Sequence, residues 1–259
     1  LVLNIFFRWY AAMTLNLNRE ASFYHLNQAF SQRGCPLCRL LADVAEAYVD
    51  SLLWELVNYP DLREEINRSR GYCNQHAWLL AKSGAALGVA IILRDVIKTL
   101  LDGLQAQEAG SGLRNFLGSR KLPGNAKLVD KLSPQKPCPI CVKVNLFEGQ
   151  YIKLLVENIV KSEELAKAYA DSEGLCLPHF RHVLEQASPG KATEALMTAQ
   201  QTVWQRLEQE LSEFIRKNDY QYKGNFGSER DSWLRVIEAI SGAVRPVGNN
   251  ANLPLSKKD

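Results

Sequence analysis

Two observations predict an all-α fold for this chain. Apolar residues recur at three- and four-residue spacing through its long segments, and one cysteine–histidine pattern is written twice over that helical periodicity. A third, the composition, sets the scale: 259 residues, 46% hydrophobic and 23% charged, are enough to bury a core without covalent staples.

Residues 1–19 read as an N-terminal extension. Leu1 to Met13 is apolar, with Arg8 its one charge, but it has neither the basic n-region nor the small-residue cleavage site of a secretory signal, and Met13 reads as an alternative start. The most apolar later stretch, Gly84 to Leu101, contains Arg94, Asp95 and Lys98, short of the roughly 20 uninterrupted apolar residues of a membrane span. A cytoplasmic protein is expected. In that compartment six cysteines argue for something other than disulfides.

The first helical unit, residues 20–107, contains Cys35-x2-Cys38 and, 34 residues later, Cys73-x2-His76. The second, residues 138–188, contains Cys138-x2-Cys141 and, again after 34 residues, Cys176-x2-His179. A shift of 103 residues superimposes the two sets without a gap and also aligns Pro36 with Pro139, Tyr48 with Tyr151, Leu52 with Leu155, Ser69 with Ser172 and Gly71 with Gly174. All six cysteines and two of the four histidines fall inside this internal repeat.

Each CxxC opens a long amphipathic helix, the first carrying Leu37, Leu41, Val44, Tyr48 and Leu52, the second Ile140, Val144, Phe147, Tyr151 and Leu155. Pro36 and Pro139 suit the first turn. Shorter helices follow around Asp61–Arg68 and Glu163–Ala170, and Gly71 and Gly174 stand where a helix end needs positive φ. Residues three apart at a helix start share a face, so each CxxC or CxxH pair can aim at one point.

Four such ligands make a tetrahedral Cys3His set, the preference of Zn²⁺, and four protein ligands mark a structural site. The expectation is two zinc sites, one of Cys35, Cys38, Cys73 and His76, the other of Cys138, Cys141, Cys176 and His179, each closing its own unit. An iron–sulfur cluster with one histidine ligand, or redox-active CxxC dithiols, are the alternatives.

Gly84 to about Gln107 reads as a core helix. Residues 108–137 turn to Gly, Ser, Pro and Lys, the composition of a basic linker. Residues 189–244 hold C-terminal helices that pack on the units. A long helix from Gly190 to Lys217, with Leu196, Val203, Leu207 and Phe214 in near-heptad spacing, either covers the chain's own core or pairs with a second copy. An aromatic loop containing Tyr220, Tyr222 and Phe226 leads into a last helix from Ser228 to Ile240, with Trp233 near its start, and residues 245–259 form a polar tail.

No phosphate loop, nucleophile elbow or HExxH motif is present, so no catalytic residue is assigned. His182, one turn after His179, is either an exposed helix residue or a group behind the metal ligands. A net charge of +3 is no footprint for nucleic acid.

The segments CPLC…GYCNQH and CPIC…GLCLPH, with DYQYKGNFGSERDSW near the C-terminus, resemble an uncharacterised family of bacterial helical proteins with duplicated CPxC…GxCxxH units, over about residues 25–242. The resemblance implies the duplicated architecture and no activity. A non-enzymatic interaction or regulatory role with an unknown protein partner is expected, with iron–sulfur or dithiol redox function as the alternative.

Overall fold

A computed structural model describes residues 19–115, 125–220 and 224–243; expectations for Met13, Tyr222 and the polar tail lie outside them. The described residues form eleven α-helices and no strand, as the periodicity predicts. In chain order these are α1 (Arg19–Phe30), α2 (Pro36–Trp54), α3 (Pro60–Arg68), α4 (Asn74–Ala77), α5 (Ala86–Asn115), α6 (Asn125–Leu132), α7 (Pro139–Asn158), α8 (Glu163–Asp171), α9 (Leu177–Gln186), α10 (Lys191–Lys217) and α11 (Ser232–Ser241). Short 3₁₀ turns at Trp78–Leu80 and Ser228–Asp231 follow α4 and precede α11.

Helix starts follow the 103-residue offset of the cysteine–histidine pattern. Starts at 36, 60 and 74 recur at 139, 163 and 177, each 103 residues on. Local chemistry differs beneath that regularity. Ser162 caps α8 by accepting the Leu165 N–H at 3.2 Å, whereas α3 follows Tyr59 without a side-chain cap and relies on Pro60, whose fixed φ suits the first turn and whose missing N–H needs no partner there.

The described chain forms two compact units, and neither is a contiguous half. The first takes in residues 19–43 together with the described residues of 146–243; the second takes in 44–115 and 125–145. Helix α2 therefore starts in the first unit and continues in the second from Val44, while α7 starts in the second and continues in the first from Leu146.

The first unit buries Leu26, Ala29 and Phe30 of α1, Leu37 and Leu41 of α2, Ile152 and Leu155 of α7, Leu165 and Tyr169 of α8, and Leu196 and Val203 of α10. Helix α10 lies against α8 and α11, and α1 against α8. Phe30 meets Tyr169 at 5.0 Å between ring centres, Phe180 meets Trp204 edge-on at 5.5 Å, and Phe214 meets Phe226 at 5.6 Å, so one aromatic of the C-terminal loop staples to α10. Tyr220 and Trp233 of the same region are exposed. The second unit closes on Val49, Leu52, Ile66, Leu80, Ile92, Val96 and Ile140, with α5 against α3 and α6.

Two helices fall where the sequence signals none. Helix α1 lies at the start of the first repeat, and its Ser22–Leu26–Ala29 stripe is too short to register as periodicity. Helix α6 lies inside the basic segment 108–137, into which α5 also extends as far as Asn115. The Gly and Pro of the segment mask its helical stretch, but Asn125–Leu132 holds neither, and tertiary bonds at its end favour it: Arg70 donates two hydrogen bonds to the Lys131 carbonyl.

Candidate metal centres

All eight predicted ligands gather, but not with the expected partners. One group is Cys35, Cys38, Cys176 and His179; the other is Cys73, His76, Cys138 and Cys141, the ligand atoms of each lying within 4.8 Å of one another. The expected pairing of each CxxC with the CxxH of its own repeat is thus replaced by a reciprocal exchange. The sequence spacing is identical for either pairing and cannot select between them. The exchange follows from the path of α2 and α7, which carry their N-terminal cysteines in one unit and their remaining turns in the other.

In each group the histidine offers Nδ1. In the first unit Nδ1 of His179 stands 3.4 Å from Cys35 Sγ, 3.4 Å from Cys38 Sγ and 3.2 Å from Cys176 Sγ, and the Cys38 and Cys176 sulfurs are 3.7 Å apart. In the second unit Nδ1 of His76 stands 3.3 Å from Cys73, 3.2 Å from Cys141 and 3.7 Å from Cys138, with the Cys73 and Cys141 sulfurs 3.6 Å apart. A tetrahedron with metal–sulfur bonds of about 2.3 Å and metal–nitrogen bonds of about 2.0 Å has edges of roughly 3.8 Å between sulfurs and 3.5 Å between sulfur and nitrogen. Both groups match it, and none of the six cysteines is in a disulfide.

The local fold explains the convergence. Cys73 and Cys176 are the N-caps of α4 and α9, with extended backbone at φ −64° and −68°, and the histidine follows three residues later in the first turn. Cys35 and Cys138 sit before the first turns of α2 and α7, where their carbonyls accept from Arg39 N and Val142 N. Four helix starts therefore face the ligand sets, and their unpaired N–H ends favour thiolate.

Buried polar contacts fix the loop before each CxxH. In the first unit the fully buried Gln200 accepts from the Leu175 N–H at 3.0 Å and from the Tyr169 hydroxyl at 2.6 Å, and donates to the Leu175 carbonyl at 3.1 Å. Gly174 at φ +66° passes so close that a Cβ would lie 3.1 Å from both Gln200 and Val203, so any other residue there would strain the backbone and crowd both side chains. In the second unit Gly71 takes φ +88° and its N–H reaches the Ile66 carbonyl at 2.9 Å, while buried Ser69 donates to the carbonyls of Ile66 and Gly71.

The residue before each glycine makes a long-range contact toward the segment that leads into the partner CxxC. Glu173 accepts the Gly34 N–H at 2.8 Å, next to Cys35, whereas Arg70, at the corresponding repeat position, holds the Lys131 carbonyl ahead of Cys138. The Gln135 N–H also reaches the Arg68 carbonyl at 2.8 Å.

Environment separates the sites. The four ligands of the first are buried, and Gly242 at φ +85° seals them, a Cβ there lying 3.5 Å from Cys38 Sγ and 3.7 Å from Cys176 Sγ. In the second, Cys73 and Cys141 are half-buried. Without metal, burial pushes the Cys35 thiol up, while Cys38 is held far below the ordinary thiol range because Cys176 and Cys35 donate to its thiolate. Burial works against a charged His179, but the Cys176 and Cys38 sulfurs outweigh it and raise the ring to about 10. Cys141 is pushed up to about 12 by burial and then by Cys138 and Cys73.

Residues that the sequence reading missed complete the first site. Glu148 of α7 places Oε1 3.6 Å from His179 Nε2 and 2.7 Å from His182 Nδ1, so His182 is both surface-exposed and joined to the ligand set through a carboxylate. The Glu148 side chain is 14% exposed. Directly following Phe147 on an amphipathic helix, it carries no signal that distinguishes it from a solvated glutamate. Gly242 did carry one, a glycine just after the last apolar turn.

Comparison with known proteins adds a family without a function. A family of unknown function, DUF6062, matches residues 21–246. An uncharacterised 23.9 kDa protein in the xynA 3' region of Caldicellulosiruptor sp. (strain Rt8B.4) is 25% identical over 215 residues, which cover 82% of this chain and 97% of that protein. No solved structure matches.

Proposed function

Starting from a chain that belongs to the DUF6062 family of unknown function, we propose that it is a zinc protein whose two Cys3His sites are structural, and that it serves as a non-enzymatic interaction or regulatory protein. The observation that carries this reading is the ligand geometry: three sulfurs and one imidazole nitrogen, all within 4.8 Å, at the corners of a tetrahedron sized for one zinc ion. Zinc would hold four protein ligands in each site and leave no position open for a substrate or an activated water. Its contribution is to folding, because it binds the folded arrangement and not the unfolded chain.

The same distances weigh against a cluster. In an iron–sulfur cluster the protein ligands bind different irons and stand apart by the width of the cluster, whereas these ligands converge on a single point. No helix among the described residues is long and apolar enough to cross a membrane, and a cytoplasmic location fits six cysteines held as metal ligands.

Metal analysis with a visible absorption spectrum, on full-length protein purified without oxygen, tests the reading. Two zinc ions per chain and no colour are expected. Iron with acid-labile sulfide would replace it with electron transfer or redox sensing, and a metal-free protein that binds neither zinc nor cobalt would leave dithiol chemistry in its place.

A further inference from the structure

The two ligand sets are alike, but their surroundings are not. Nδ1 of His179 faces the three sulfurs, so as a metal ligand this ring must carry its proton on Nε2. That nitrogen points at Glu148, whose Oε1 lies 3.6 Å away, within ion-pair reach and a few tenths of an ångström beyond a hydrogen bond. Glu148 is in turn held by His182 at 2.7 Å. At the corresponding repeat positions the second unit has Ala45 and Leu79, which offer neither a carboxylate nor a ring nitrogen, and Ala45 is buried.

We propose that Glu148, oriented by His182, is a positioning residue for the metal of the Cys35–Cys38–Cys176–His179 site alone, and that it makes this the slow-exchanging site of the two. The inference rests on the metal-binding reading above. A carboxylate behind a ligating imidazole fixes the tautomer, sets the ring plane and raises the basicity of the ligating nitrogen; its removal typically weakens metal binding about 10- to 100-fold. The repeat supplies an internal control, since whatever Glu148 does at one site its counterpart Ala45 cannot do at the other.

The test uses full-length protein loaded with Co²⁺, whose thiolate charge-transfer absorption reports each bound ion. Loss of that absorption in excess chelator is expected to be biphasic in the parent protein. Glu148→Gln, which keeps the shape but removes the charge, should accelerate the slower phase about 10- to 100-fold and leave the faster phase unchanged. His182→Ala should shift the same phase in the same direction by less, and Glu148→Asp should restore part of the loss. A second readout is the His179 Nε2–H resonance, which should lose its protection from solvent exchange in Glu148→Gln.

Equal acceleration of both phases, or a change in neither with the resonance unaltered, would overturn the proposal while leaving the metal sites intact. Failure of the parent protein to take up Co²⁺ would instead remove the metal-binding reading on which it rests.

Discussion

Glu173 accepts a hydrogen bond from the backbone N–H of Gly34 at 2.8 Å, joining two residues 139 apart in the chain. The contact lies between the glycine that precedes Cys35 and the residue three before Cys176, so it draws together the two ligand pairs of one site. At the corresponding repeat position Arg70 instead donates to the Lys131 carbonyl, seven residues ahead of Cys138. Each site thus joins a CxxC pair of one repeat to the CxxH pair of the other.

Paired substitutions test that exchange directly. Cys38→Ser with Cys176→Ser disables one site twice, so the double variant should retain one metal ion per chain. Cys38→Ser with Cys73→Ser strikes both sites and should retain none. Pairing within each repeat would give the opposite result, and metal analysis of the two purified double variants distinguishes them.

Gln200→Ala should destabilise the first unit by about 2–5 kcal/mol. It removes three hydrogen bonds and leaves the Leu175 N–H and the Tyr169 hydroxyl buried without their partner. Denaturant unfolding of the zinc-loaded protein gives the loss. Metal titration should show one of the two ions binding more weakly, because the same side chain holds the turn that delivers Cys176.

Metal uptake should release protons. At neutral pH the apo sites retain them, with His179 raised to about 10 and Cys141 to about 12, and a metal ion must displace what its ligands carry. Affinity therefore rises with pH and falls on acidification. Adding Zn²⁺ to metal-free protein in weak buffer should lower the pH, and an apparent affinity independent of pH between about 6 and 8 would contradict the assignment of these residues as ligands.

Glu229 gives a separate pH signature. Lys217 Nζ and the Gly227 N–H both approach its Oε1 at 2.7 Å, and they hold its carboxyl down at about 2. Because the folded value lies below the unfolded one of about 4.3, the stabilisation is complete above the unfolded value and disappears as pH falls through the folded one. Thermal melts in excess chelator should show Glu229→Gln less stable than the parent by a constant margin above about pH 5, with the margin closing toward pH 2.

Much of the fold was legible because helices advertise themselves. The long helices opened by Pro36 and Pro139, the short ones ending near Gly71 and Gly174, and the long C-terminal helix all follow from apolar spacing, proline and glycine. The eight candidate ligands stood out equally, since a repeated spacing leaves few other uses for Cys and His, and the structure gathers them into two groups that could hold a metal ion. What could not be read was partner choice. Either CxxH can complete either CxxC by local chemistry, and the selection lies in contacts such as Glu173 to Gly34, made between residues whose own sequence surroundings carry no signal. Glu148 was hidden for the same reason: its role depends on a histidine 31 positions away.

The exchange also imposes a timetable on synthesis. Cys73 and Cys141 are 68 residues apart, so the second site has all its ligands once Cys141 has left the ribosome. Cys38 must wait for Cys176, 138 residues later, a delay on the order of ten seconds at typical elongation rates. During that interval the first CxxC lacks the CxxH pair it meets in the folded chain. Glu173 and Gly174 emerge just before Cys176, so the residues that fasten the last turn arrive immediately ahead of the ligands that close the site.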